Sequence, residues 1–230
     1  MLGFGAFQVA PAQAAQSYTF LYGHESNPQY AARWNRCSTI KWGVDGALLT
    51  SIGVNVPAEI ARLKTVFQEA TTTSGYRFKY KGQITRKATL TGGHIKSSAY
   101  SRAGGLDIVI TYGSASSAGA YTYPTFSGGV WGVGGTRARY ARIRGGNHIG
   151  LRAQKGSLVL RADAVKQSVQ NGQTDLVRAL YLHELGHALG LGHVDNSDEI
   201  MYPSLTGEFS DYQAGDAAGL RALHSQTCFA

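Results

Sequence analysis

The chain is short of cysteine, of acid and of long apolar runs, and each shortage narrows what it can be. Its 230 residues include two cysteines, Cys37 and Cys228, so one intrachain disulfide is the most it can form. No stretch is long and apolar enough to span a membrane as a helix, which takes about 20 predominantly apolar residues. Asp and Glu number 14 against 22 Lys and Arg, a formal net charge of +8. No nucleic-acid-binding motif accompanies that charge, so nucleic acid is not an expected partner. There is no internal repeat, and no Lys or Arg precedes Arg33.

What is present suits one globular domain, or one domain with two lobes. Hydrophobic residues make up 43% and glycines number 30, which favours sheet and loops over a helical bundle. Residues 1–15 are uncharged and apolar and end Ala12-Gln13-Ala14-Ala15, resembling the end of a secretory signal peptide with its small-residue cleavage site. The chain is therefore expected to be secreted, and a monomer is the default. An even cysteine count then favours a Cys37–Cys228 disulfide tying the ends together, worth about 4–5 kcal/mol in the chain-entropy account. Charge is uneven: residues 1–174 hold 20 Lys/Arg and 6 Asp/Glu, a net of +14, whereas residues 175–230 hold 2 Arg and 8 Asp/Glu, a net of −6. The strongest basic element, Arg137 to Arg144, alternates and precedes a Gly145-Gly146-Asn147 turn, which reads as a hairpin with a charged face. That face either meets anionic polymers or acidic substrate, or guards an edge against aggregation.

The decisive run is His183-Glu184-Leu185-Gly186-His187-Ala188-Leu189-Gly190-Leu191-Gly192-His193. Residues i and i+4 of a helix share a face, so His183 and His187 can reach one metal ion. Glu184 sits just off that face, poorly placed as a ligand and well placed as a general base beside water. A catalytic zinc usually has three protein ligands. Gly190 can end the helix in the left-handed conformation and turn His193 back as the third, and Gly192 adds freedom at the bend. Val177, Tyr181, Leu185 and Leu189 form a core-facing stripe, and Thr174 or Asp175 caps a helix from about Asp175 to Leu189. The competing reading is a structural histidine cluster.

The pattern resembles the metzincin zinc endopeptidases. Ile200-Met201-Tyr202-Pro203 looks like their methionine turn, with Met201 as an apolar floor under the metal. The short spacing and the Met-Tyr-Pro sequence are most similar to matrixins and their secreted bacterial relatives, as is the helical segment Asp211 to Leu223. Matrixins usually have serine after the third histidine, where this chain has Val194 and Asp195. The resemblance implies an α+β fold: a twisted mixed sheet with two packed helices, the zinc helix, the methionine turn and a C-terminal helix. It implies one catalytic domain over residues 16–230, with an N-terminal lobe to residue 193 and a C-terminal lobe over 194–230. It also implies one catalytic Zn²⁺ on His183, His187 and His193, with Glu184 as the base for hydrolysis of internal peptide bonds. Protein or peptide substrates would lie antiparallel along an edge strand, for which Gly128 to Gly135, with Val130, Trp131 and Gly132, is the candidate. A glycine-rich surface loop is the alternative there. Pro203 to Leu205 would line the pocket for the residue after the cut bond. His24, His94 and His148 are too scattered for the family's structural zinc, so none is expected. Calcium has Asp107 and Asp163 available but no Asp/Asn-rich loop. The segment around Cys37 does not resemble the family's metal-blocking propeptide motif.

The remaining elements are expected as follows. Residues 16–36 are extended and wrapped on the surface. Strands run from Ile40 to Val44, Tyr76 to Lys81, Leu106 to Tyr112 and Ser157 to Arg161, a helix starts at Pro57 and ends near Thr72, and a long loop fills 113–129. Two other functions compete: a zinc hydrolase of bacterial cell-wall peptides, and a secreted binding protein with a structural zinc closed by Asp195.

Overall fold

A computed structural model describes residues 17–23, 27–85, 90–91, 94–95, 105–114 and 129–230. The expected leader over residues 1–15, His24 and most of the 113–129 loop lie outside these residues. The described strands are β1 (Thr39–Asp45), β2 (Arg77–Gln83), β3 (Leu90–Thr91), β4 (His94–Ile95), β5 (Ile108–Gly113), β6 (Gly132–Arg142) and β7 (Ile149–Arg161). The described helices are α1 (Ala47–Ser51), α2 (Val56–Ser74), α3 (Ala162–Gln170), α4 (Thr174–Leu189) and α5 (Ala214–Ser225).

Five strands form one sheet in the order β2-β1-β5-β7-β6. The first four are mutually parallel, and β6 pairs antiparallel with β7 as a hairpin. This is the mixed sheet of an α+β fold, with β6 on its edge. β5 is buried at every position, as a central parallel strand covered on both faces must be. The charged 137–144 hairpin is present as the outer halves of β6 and β7.

α2 starts where Asn55 Oδ1 accepts the Ala58 amide at 3.1 Å, with Pro57 in the first turn, and it ends at left-handed Gly75. Its Leu63, Val66, Phe67 and Ala70 pack in one core with Tyr181, Leu182 and Leu185 of α4 and with Trp42, Ile110 and Leu158 of the sheet. Trp42 stacks on Phe67 at 4.1 Å between ring centroids. The core also holds polar groups. Tyr181 donates its hydroxyl to buried Glu59 at 2.8 Å, Tyr112 lies 3.1 Å from the Tyr181 oxygen, and Arg62 reaches Glu59 at 3.3 Å. Cys37 and Cys228 are bonded. No helix among the described residues is long and apolar enough to cross a membrane.

Several local expectations change. The segment entering β1 is not a surface wrap: Phe20 and Ala31 through Asn35 are buried. The Trp34 indole donates to Ala188 O at 2.8 Å, and Arg33 exchanges backbone hydrogen bonds with Leu151 and Ala153. Bonds to distant parts of the chain, not local pattern, bury this stretch. Helix α3, not expected at all, follows β7 directly and buries Ala162, Ala164, Val165 and Ser168. α4 begins at Thr174 after Gln173 and has no side-chain cap, while Asp175 sits in the first turn, where the helix dipole favours an anion.

Candidate metal centre and cleft

α4 carries the centre, and its sequence explains why it can be buried so deeply. From Ala179 to Leu189 every residue is buried, histidines included, so the helix is far more enclosed than one apolar stripe requires. The helix stops at Gly190, whose φ of 119° is left-handed. A side chain there would also meet Ala32 O at 2.6 Å. Gly192 has no positive φ, so it supplies no unusual backbone freedom; it is small because a Cβ would lie 2.5 Å from Thr19 Oγ1.

The return of His193 depends on a second segment that sequence reasoning missed. Phe20 forms an antiparallel bridge with Leu191, Leu21 donates its amide to Gly190 O at 2.8 Å, and Gly192 donates to Thr19 O at 2.9 Å. Thr19 Oγ1 donates to His193 O at 2.7 Å. No local signal marked Thr19 to Leu21 for this work, because all but the Thr19 hydroxyl bond are made by backbone.

The three Nε2 atoms converge. His183 and His187 are separated by 3.2 Å, His183 and His193 by 3.2 Å, and His187 and His193 by 3.0 Å. Three nitrogens on a tetrahedral zinc at about 2.0–2.1 Å would stand about 3.3 Å apart, so this triangle fits the ion. The rings are also oriented correctly. Nδ1 of His183 lies 2.7 Å from Ile200 O and Nδ1 of His187 lies 2.9 Å from Leu191 O, which assigns the proton to Nδ1 and leaves the Nε2 lone pair inward. Burial lowers the pKa of His183 to about 4 and of His187 to about 3, and it lowers that of half-exposed His193, so the rings are neutral, the metal-binding form. Asp195 is not in the group of potential ligands, which among the described residues contains the three histidines alone.

Glu184 is 4% exposed and faces edge strand β6. Burial raises its pKa to about 8, opposed by the Gly134 amide. β6 can come this close because of two glycines. A Cβ on Gly132 would lie 2.5 Å from Glu184 Oε1, and one on Gly134 would run into the Glu184 carbonyl oxygen.

Met201 is 1% exposed, with its sulfur packed against Gly186 of α4. The turn that carries Met201 is held by two carboxylates. Asp216 accepts the amides of Ile200 at 2.8 Å, Met201 at 3.2 Å and Gln213 at 3.0 Å. Glu199 accepts those of Gly215 and Asp216 at 2.9 Å, at the start of α5. The sequence reading passed over both carboxylates.

The histidines and Glu184 open into a cleft of about 720 Å³. Val130, Trp131 and Gly132 line it, as do Leu180, Pro203 and Leu205. All five candidate substrate-contact residues are thus brought to one place. Val130 and Trp131 precede β6 rather than belonging to it, so the candidate segment is part loop and part strand.

No curated protein matches the chain. The matrixin family model (Peptidase_M10) matches residues 54–225, a span that takes in α2, every strand of the large sheet except β1, the histidine helix, the Met201 turn and α5. With that match over most of its length and a histidine triangle that fits zinc, the chain belongs to the matrixins, zinc-dependent metalloendopeptidases of the metzincin type.

Proposed function

We propose that the protein is a secreted endopeptidase in which His183, His187 and His193 hold the zinc and Glu184 is the general base. The observation that carries this is the convergence of three Nε2 atoms, 3.0–3.2 Å apart, beside a buried carboxylate in an open cleft. Bound there, zinc supplies Lewis acidity: it lowers the pKa of water to about 7 and polarises a peptide carbonyl. Glu184 takes the proton of the attacking water and returns it to the leaving nitrogen. A dication beside it favours its ionised form, which suits a base. Met201 packs as the floor. An extended substrate lies along β6 from Val130 and Trp131 onward, antiparallel to it, where Gly132 permits close backbone approach. Pro203 and Leu205 shape the pocket beyond the cut bond. Residues 1–15 act as a leader, the mature chain is one catalytic domain divided after His193, and it works as a monomer.

The test uses purified mature protein and unfolded casein, with and without a zinc chelator, beside Glu184→Ala of measured zinc content. Chelator-sensitive cleavage, absent from zinc-loaded Glu184→Ala, is the expected result. An uncut casein with zinc-loaded wild type would overturn a general endopeptidase in favour of a narrower hydrolase, of wall peptides for instance, or of a binding protein.

A further inference from the structure

β6 lines the cleft from Gly132 to Gly134 and continues as the edge of the five-stranded sheet to Ala141, with β4 near it. Beyond that the C-terminal residues take its outer side: Arg144 donates its amide to Cys228 O at 2.8 Å, and Ala230 donates to Arg142 O at 2.9 Å. At about 3.4 Å per residue, Arg137 and Arg139 stand roughly 17 and 24 Å along the strand from Gly132. Across the ladder Arg137 faces Lys155, and Arg139 faces Arg152. Like charges directly opposite each other destabilise a strand pair, yet two such pairs follow one another here. They border a hollow of about 440 Å³ whose lining includes a single carboxylate, Asp107, 3.9 Å from the Lys155 ammonium. Among the described residues neither Arg137 nor Arg139 has an ion-pair partner. Protection of an edge needs scattered charge. It does not need opposed cations gathered round a concavity.

We infer that this hollow is an exosite for acidic side chains of the substrate itself, about five to seven residues from the bond that is cut; the inference rests on the endopeptidase reading above. An extended chain laid on β6 presents alternate side chains on one face about 6.8 Å apart, the spacing of Arg137 and Arg139. If it runs antiparallel, residues before the cut bond reach the arginines. Guanidinium forks pair with carboxylates bidentately, so Asp or Glu at alternate positions there is the favoured pattern. A free anionic glycan would need no register with the cleft. One strand carries both Gly132 and Arg139, its register against β7 shifting between Arg137 and Ala138, and this continuity favours an anion carried on the cut chain.

The test compares two quenched fluorescent peptides with the same cut site, one with Asp-Xaa-Asp and one with Ser-Xaa-Ser five to seven residues before the bond. A third carries the acids after it. The enzyme is the zinc-loaded full chain and its Arg137→Glu/Arg139→Glu variant. Reversal turns both like-charge cross-strand pairs into opposite ones, so the variant folds, and thermal unfolding checks this. For wild type in low salt, the acids before the bond should raise kcat/KM about tenfold through KM, and 1 M salt should erase the gain. The variant should lose that gain and cut the serine peptide as wild type does. Equal rates for the acidic and serine peptides, or a preference that survives reversal, would overturn the exosite. So would tight, Arg137-dependent binding of dextran sulfate without any gain from acidic peptides, which would make the hollow an anchor for anionic glycans. If zinc-loaded wild type cuts none of the peptides, nor casein, the endopeptidase reading itself fails and takes the exosite with it.

Discussion

Replacing both cysteines with serine should lower the stability of the protein by about 5 kcal/mol. The bond between Cys37 and Cys228 spans a sequence separation of 191 residues. The chain-entropy relation gives about 18 cal/mol/K for a loop of that length, or roughly 5 kcal/mol at 25 °C. Typical total stabilities are about 5–15 kcal/mol, so the loss is a large share. Unfolding entropy of about 2.1 cal/mol/K per residue, about 0.48 kcal/mol/K for the chain, converts it to a Tm drop of about 11 °C. The native site of the bond keeps its shape without it. Phe229 is 3% exposed, the Arg33 guanidinium lies 4.2 Å from its ring, and Cys228 O and Ala230 N are both paired with the β6 end. The effect therefore acts through the unfolded chain. Urea unfolding of zinc-loaded wild type and Cys37→Ser/Cys228→Ser measures it, and the m-value should rise as the unfolded state expands. An unchanged midpoint with an unchanged m-value would refute the argument. A lower midpoint with lost zinc would show instead that the bond supports the metal centre directly.

Four further outcomes are expected. Gly134→Ala should destabilise the protein by about 1–3 kcal/mol in thermal unfolding, because the new Cβ meets the Glu184 carbonyl and forces β6 from α4. Gly132→Ala should cost less stability but about 100-fold in kcat, because it displaces the Glu184 carboxylate; a kcat near wild type would count against the close approach of β6 to that group. Removing zinc with a chelator should abolish casein cleavage and lower Tm by about 6 °C relative to metal held at 100 times its Kd, a linkage of about 2.7 kcal/mol. Tyr181→Phe should cost about 1–3 kcal/mol in urea unfolding, since buried Glu59 loses its 2.8 Å donor and keeps only Arg62.

The metal centre was legible because its information is local. Spacing of four on one helix brings His183 to His187, and a glycine seven residues after His183 ends the helix. Both facts are written in consecutive residues. The edge strand was half legible: Gly132 to Gly135 of the expected segment are strand while Val130 and Trp131 are not, and the reason for glycine at 132 and 134 is the body of Glu184, some 50 positions away. Helix α3 escaped because it is only nine residues long and begins directly behind a strand that already looked complete; its amphipathic period was there to be read, but its buried side chains Ala162, Ala164, Val165 and Ser168 are small. Phe20 and Ala31 to Asn35 were misplaced on the surface because nothing in their own pattern reveals the Trp34 bond to Ala188 or the Phe20 bridge to Leu191. Glu199 and Asp216 passed unnoticed for a related reason. A carboxylate is ordinarily a surface residue, and only the buried amides of the Met201 turn and the α5 start make these two structural.

These long-range bonds explain how the third histidine can sit outside the helix and still be held to the geometry zinc requires. His183 and His187 are fixed by α4 itself. His193 follows a left-handed break, and a loop there would wander by more than the tolerance of a coordination site if only Gly190 governed it. The structure closes that loop on two sides. On one, Thr19 and Leu21 pair with Gly190 and Gly192, and Thr19 Oγ1 takes the His193 carbonyl. On the other, Val194 donates to Met201 O at 3.1 Å, and the Met201 turn is tied through Asp216 to α5. The same turn supplies Ile200 O to His183 Nδ1, so one backbone segment orients the first ligand and braces the strand leaving the third. Disorder introduced at Thr19 or at Asp216 should therefore reach the metal from opposite sides of the same loop, although neither residue touches it.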